Sequence, residues 1–265
     1  MNTYKLAAGA LLASLAFLLQ MSNGILGLPT GFGMTIDLVG VPVLVAFFIL
    51  GYETALYVAV LVALAIIFFS PTSYIGALTK FSATMPMVIV PAAYLLAAGK
   101  GKGQLMGVVV LAAAALIAFF GIGAYFAGIF EGIFGKNSVL VGIAPLVLIA
   151  LFSYLMLLIW KKYSAGAKSS ALAGAAPAFF VLLLALLVRG VVMIAANFYF
   201  AGPIFFKMSP EDFVSFLEGV PFPFLGKGVA WYMVIFFWNA LQGAVEFFIA
   251  WMIAFKFGFF KKYAE

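Results

Sequence analysis

The chain contains no cysteine and no histidine, and only 8% of its 265 residues carry a charge. Without cysteine there is no disulfide framework. Without histidine, the commonest metal ligand and the usual general base near neutral pH are both missing. No metal site, resident cofactor or enzymatic activity is expected on these grounds. The sparse charge leaves too little polar surface to coat a soluble globule of this length. A net charge of +6 would suit a nucleic acid only as a clustered basic face with interleaved aromatics. Here the lysines punctuate apolar runs instead, so nucleic acid is not an expected partner. A Gly-x-x-x-x-Gly-Lys-Ser/Thr phosphate loop is also missing, which excludes ATP hydrolysis by that means.

What is present is overwhelmingly apolar: 67% of residues are hydrophobic and the mean hydropathy is +1.26. Runs of about 20 apolar residues match a hydrocarbon core of roughly 30 Å. They predict an all-α polytopic membrane protein, one integral membrane domain over residues 1–265. Breaks at glycine, proline and charge give eight segments: 4–21, 37–51, 53–69, 76–98, 104–128, 138–162, 171–199 and 229–258. Segments two and three meet at Gly51-Tyr-Glu53, and each is short for a full crossing. Lys5 ahead of an apolar core followed by small residues also fits a secretory signal, but the segment is read here as a retained span.

An even number of spans puts both termini on one side. Lys5, Lys100, Lys102, Lys161, Lys162, Lys168, Lys256, Lys261 and Lys262 then share that side, with Lys80, Lys136, Lys207 and Lys227 opposite. By the positive-inside rule the termini are predicted to be cytoplasmic, in a cell membrane.

The polar residues outline candidate sites. The first external loop, about residues 22–36, carries Gly24, Gly27, Pro29, Gly31 and Gly33, which suit tight turns and close approach to a ligand. Gly31 and Gly33 make it a candidate lid. In the last external loop, Ser209-Pro-Glu-Asp predicts a capped short helix, with Phe213, Phe216 and Leu217 on one face. Small residues Gly9, Ala10, Ala13 and Ser14 form a face suited either to packing within the chain or to docking another membrane subunit. Arg189 lies about ten residues, or roughly 15 Å, from the outer end of segment seven. Asn239, Gln242 and Glu246 share a face of segment eight at i, i+3 and i+7. The same arithmetic puts Arg189 level with Asn239 and Gln242, and Glu246 roughly 10 Å deeper. This cluster reads as a buried polar strut or as an ion or proton relay. Asn197 falls near the external mouth. Asp37 either caps the second segment or faces a ligand, while Lys80 and Lys227 begin segments from the outer side. Together Asp37, Lys80, Asn197 and Lys227 bring four polar groups to one level, the plan of a small-molecule pocket with apolar walls.

These residues also resemble a family. IDLVGVPVLVAFFILG followed by SYIGALTKFSATMPMVIVPAAYL, then RGVVMIAANFYFAGPIF and PFPFLGKGV, are similar in order and pattern to the substrate-binding S components of energy-coupling-factor vitamin transporters. The last two are similar to the riboflavin-binding branch. The resemblance covers about residues 5–98 and 180–245 and implies a six-helix core, 1–98 with 171–265, interrupted by an extra helical hairpin over 99–170. It implies a subunit that captures a vitamin, riboflavin first, from outside. The implied partners are a membrane coupling protein and two ATP-hydrolysing subunits. Asp37, Lys80, Asn197 and Lys227 would then contact the ligand, the 22–36 loop would close over it, and Gly9, Ala10, Ala13 and Ser14 would meet the coupling protein. The alternatives from the residues alone are a self-sufficient secondary transporter coupled to H+ or Na+ through Arg189 and Glu246, and an intramembrane enzyme.

Overall fold

The computed structural model describes residues 2–100, 139–163 and 169–257, with isolated positions between 116 and 133. The described residues form an all-α polytopic membrane protein. Helix α1 (Thr3–Met21) starts at Asn2, whose side chain accepts the Lys5 amide at 2.9 Å, satisfying one of the four free amides of a helix start. A four-residue helix, α2 (Asn23–Leu26), leads to a hairpin of β1 (Leu28–Pro29) and β2 (Thr35–Ile36), paired antiparallel. Helix α3 (Val41–Leu50) ends in a π turn, where Gly51 adopts φ 96° and sends its amide to Ala46 O. Helices α4 (Tyr52–Phe69), α5 (Ser73–Lys100) and α6 (Val139–Tyr163) follow. Helix α7 starts at Ala175 and α9 at Trp231, with the short α8 (Pro210–Gly219) between them.

Among the described residues, six helices are long and apolar enough to cross a membrane: Thr3–Met21, Tyr52–Phe69, Ser73–Ala97, Pro145–Lys162, Ala175–Phe206 and Trp231–Lys256. Segment 104–128, apart from isolated positions, and Lys102, Lys136, Lys168, Lys261 and Lys262 lie outside the described residues.

Two expectations need correction. Segment two is no full span: α3 has ten residues, about 15 Å at 1.5 Å per residue, half the core thickness. Segment seven does not stop near residue 199, because α7 continues to Phe206. Pro203 lacks an amide hydrogen and would break an ordinary α-helix at that point. The chain widens instead into a π turn over Asn197–Ala201, in which the Gly202 amide reaches back five residues to Asn197 O. The helix thereby passes through Gly202-Pro203.

The bundle centre is α5, lying against α4, α7 and α9. Helices α7 and α9 approach through glycines. A Cβ on Gly190 would sit 2.2 Å from Phe236 Cδ2, and one on Gly243 would sit 2.8 Å from Leu186 Cδ2 and 3.1 Å from Arg189 Cδ. Helix α6 packs against α4 and α5, with Tyr52 stacked on Trp160 at 4.7 Å and Phe81 edge-on to Phe152 at 5.9 Å. Helices α5 and α7 touch directly although residues 99–170 separate them in sequence.

The small-residue face of α1 is largely used inside the chain. Gly9 and Ala13 are buried toward α4, and a Cβ at Gly9 would come within 3.0 Å of Tyr57 and 3.1 Å of Thr54. Only Ala10 and Ser14 of the four candidate docking residues remain exposed. Helix α8 matches its predicted cap: Ser209 Oγ accepts the Asp212 amide at 3.1 Å. Its face of Phe213, Phe216 and Leu217 covers α7, with Phe213 against Gly202 and stacked on Phe206.

Candidate binding cavity

A cavity of about 190 Å³ opens toward one end of the bundle. Its polar lining comes from five separate stretches: Gln20 on α1 with Asn23 after it, Thr35 of the hairpin with Asp37 after it, Thr72, Thr79 and Lys80 at the start of α5, Asn197 on α7, and Asn239 with Gln242 on α9. Phe32, Phe205 and Phe206 supply aromatic wall. Three of the four predicted contact residues thus converge on one space. Lys227 does not. It is exposed in a turn tied by Phe222 to Gly226 and by the Gly228 amide to Glu218 O at 2.8 Å, and it stands outside the lining.

The hairpin covers one side of the cavity, which stays partly open. Its tip turns on Gly31 and Gly33, both at φ 86°, a left-handed backbone that suits glycine. Thr30 ties the turn by an Oγ1 hydrogen bond to Met34 O at 2.9 Å. Phe32 between the two glycines is 3% exposed and lines the cavity. A Cβ at Gly33 would lie 2.8 Å from Phe206 Cζ, so the hairpin tip rests against the end of α7. Gly33 lines the cavity, whereas Gly31 sits behind it near Val220.

Asp37 is neither the helix cap nor a free ligand contact. The cap of α3 is Gly40. Asp37 Oδ1 accepts the Val39 amide at 3.0 Å, Gln242 Nε2 at 3.1 Å and Lys80 Nζ at 2.5 Å; Oδ2 accepts Lys80 Nζ at 2.7 Å and Asn23 Nδ2 at 3.2 Å. The carboxylate therefore acts as a hub joining the hairpin, α5 and α9, and its charge is matched by Lys80.

Gln242 carries the network deeper. The same Nε2 that serves Asp37 donates to Glu246 Oε1 at 3.2 Å. Glu246 also accepts the Gly40 amide at 3.2 Å and pairs with Arg189 Nη1 at 2.8 Å, both side chains being 1% exposed. The sequence arithmetic had set Arg189 against Asn239 or Gln242, out of comfortable reach of Glu246. The continuation of α7 to Phe206 corrects it. Arg189 lies 17 residues from that end and Glu246 15 residues into α9, or about 25 and 22 Å, so the two are level. The same shift takes Asn197 from the predicted mouth to about 13 Å inside, level with Asn239. The expected four-residue strut divides accordingly: Arg189 and Glu246 form the buried ion pair, Gln242 links it to the cavity, and Asn239 is cavity floor.

Gly40 thus sits far below the cavity end, and residues 37–40 are non-helical backbone at membrane depth. Such backbone is tolerated where it is enclosed by protein and its polar groups are satisfied. Here the Val39 amide goes to Asp37, the Gly40 amide to Glu246 and the Val41 amide to Leu38 O at 3.0 Å. This explains where α3 begins: the chain reaches that depth as non-helical backbone and enters the helix through a turn at residues 38–41.

Sequence reasoning missed Asn23, Phe32 and the two phenylalanines ending α7. Asn23 offered a signal, a polar side chain just past the outer end of an apolar span. No protein-family model matches the chain, and neither a curated protein nor a solved structure does.

Proposed function

We propose that this protein is the substrate-capture subunit of an ATP-driven vitamin uptake system, taking its ligand from the external side into the hairpin-covered cavity. The observation that carries the reading is the cavity itself: polar groups from five separate stretches converge on an aromatic-walled space that a glycine-tipped hairpin covers. The order of the four motifs, and the direct contact of α5 with α7 across the 99–170 insertion, support an S-component-like core. A membrane coupling protein and two ATP-binding subunits are the proposed partners, with Ala10 and Ser14 as the exposed part of the α1 docking face. The termini are proposed to be cytoplasmic.

Riboflavin is the ligand to test first, since the resemblance points to it. With the hairpin in place the cavity of about 190 Å³ is below the roughly 300–1,000 Å³ usual for small-molecule pockets, so a three-ring ligand would extend through its opening unless the hairpin lifts. The test is whether purified protein shows a flavin spectrum, or is stabilised against heat by riboflavin or another member of a vitamin panel. Uptake into proteoliposomes should then need the partner subunits and ATP. Indifference to every vitamin overturns the proposal.

One observation favours a second reading. Lys80, Asp37, Gln242, Glu246 and Arg189 form a continuous polar chain from the cavity into the bundle interior, as a transporter coupled to H+ or Na+ would need. Uptake driven by an ion gradient with no partner present distinguishes it.

A further inference from the structure

Asn239 is 1% exposed, it lines the cavity, and its Oδ1 has no hydrogen-bond partner among the described residues. Its amide orientation is not arbitrary. Nδ2 donates to Ile235 O at 2.9 Å, and turning the amide over would set two carbonyl oxygens against each other. The other two asparagines of the lining repeat the pattern. Asn23 Nδ2 is spent on Asp37 and its buried Oδ1 is unpartnered; Asn197 Nδ2 is spent on Met193 O at 2.8 Å. In all three one amide N–H is engaged by the protein, and in Asn23 and Asn239 the buried carbonyl oxygen is left over. A buried acceptor without a donor is costly to leave empty, and this wall holds two, Asn23 Oδ1 and Asn239 Oδ1.

Charge and size narrow the complement. Among the described lining residues the ionisable side chains are Asp37 and Lys80, and they neutralise each other. A charged ligand would find no counter-charge without breaking that pair. A dry cavity of about 150 Å³ holds benzene, so about 190 Å³ with Phe32 in place accommodates one ring with small substituents.

We infer that Asn239 is a ligand-contacting residue, and that the cavity with the hairpin in place takes a neutral, single-ring molecule whose N–H or O–H groups donate to the Asn239 carbonyl. The inference rests on the capture reading above and specifies its substrate class. Uracil and 1,3-dimethyluracil share a ring but only the first has N–H donors; nicotinamide and nicotinate differ in charge. Thermal unfolding of the purified full chain is measured with each, with cytosine and pyridoxine as further neutral donors, and with riboflavin. At least one neutral donor-bearing ring is expected to raise the unfolding temperature, with dimethyluracil and nicotinate leaving it unchanged. Asn239→Leu, close to Asn in shape, is expected to unfold at a higher temperature than wild type when empty, and to lose about tenfold or more in affinity for the stabilising ring. Stabilisation by dimethyluracil equal to that by uracil, unchanged affinity in Asn239→Leu, or no response to any neutral ring overturns the inference. If riboflavin alone stabilises, the capture reading stands and the single-ring inference falls. If neither the rings nor any vitamin does, both fall.

Discussion

Replacing Arg189 by methionine tests the deepest part of the network. The guanidinium and the Glu246 carboxylate are each 1% exposed and 2.8 Å apart. Methionine keeps much of the arginine stem's packing against Gly243 but leaves the carboxylate without its cation. The Gly40 and Gln242 donors remain, and neither carries charge. Breaking one partner of a buried pair costs about 3–5 kcal/mol. At roughly 2–4 °C per kcal/mol for a chain of this size, the unfolding temperature should fall by about 6–20 °C. Adding Glu246→Gln removes the stranded charge while retaining an acceptor for Gly40 and Gln242, so the double variant should recover to within about 2 kcal/mol of wild type. The assay is thermal unfolding of the detergent-purified protein for both single variants and the double. A single Arg189→Met variant as stable as wild type would refute the strut argument and leave Arg189 free for a coupling role.

Three other perturbations follow from the geometry. Gly40→Ala would bring a Cβ to 2.6 Å from the Glu246 carboxyl carbon, and because that carboxylate is held by three donors it cannot retreat; a loss of about 1–3 kcal/mol is expected by thermal unfolding. Asn197→Ala should leave the unfolding temperature within about 1 kcal/mol equivalent while weakening the ligand found by the vitamin panel about tenfold, whereas Lys227→Ala, outside the cavity, should bind as wild type in the same titration. Because the native chain has no cysteine, Lys161→Cys and Lys207→Cys can each be labelled in intact cells with a membrane-impermeant maleimide: only the second should react, and reaction at both or at position 161 alone would overturn the topology.

The spans were legible because apolar runs of bilayer length admit few other structures, and the Asn239, Gln242 and Glu246 face was legible because helical periodicity is local. The depth of Arg189 was not. It depends on whether Pro203 stops the helix, and that is decided by the five-residue π turn over Asn197–Ala201, closed by the bond from the Gly202 amide to Asn197 O. The role of Asp37 was illegible for another reason. Its partners Asn23, Lys80 and Gln242 lie 14, 43 and 205 residues away, and no local pattern announces such a meeting. Lys227 shows the converse: a motif match and a plausible level, yet the intervening turn carries the side chain away from the cavity.

The non-helical backbone at residues 37–40 has a mechanical consequence. The hairpin above it cannot lift far without pulling on Asp37, and the bonds of Asp37 to α5 and α9 are coupled through Gln242 to the grip of Glu246 on Gly40. Releasing one amide at that depth strands it where no water waits to replace the lost partner. Lifting the cover over the cavity therefore draws on the bonds of Asp37 and of Glu246 together, and both resist a small displacement of it.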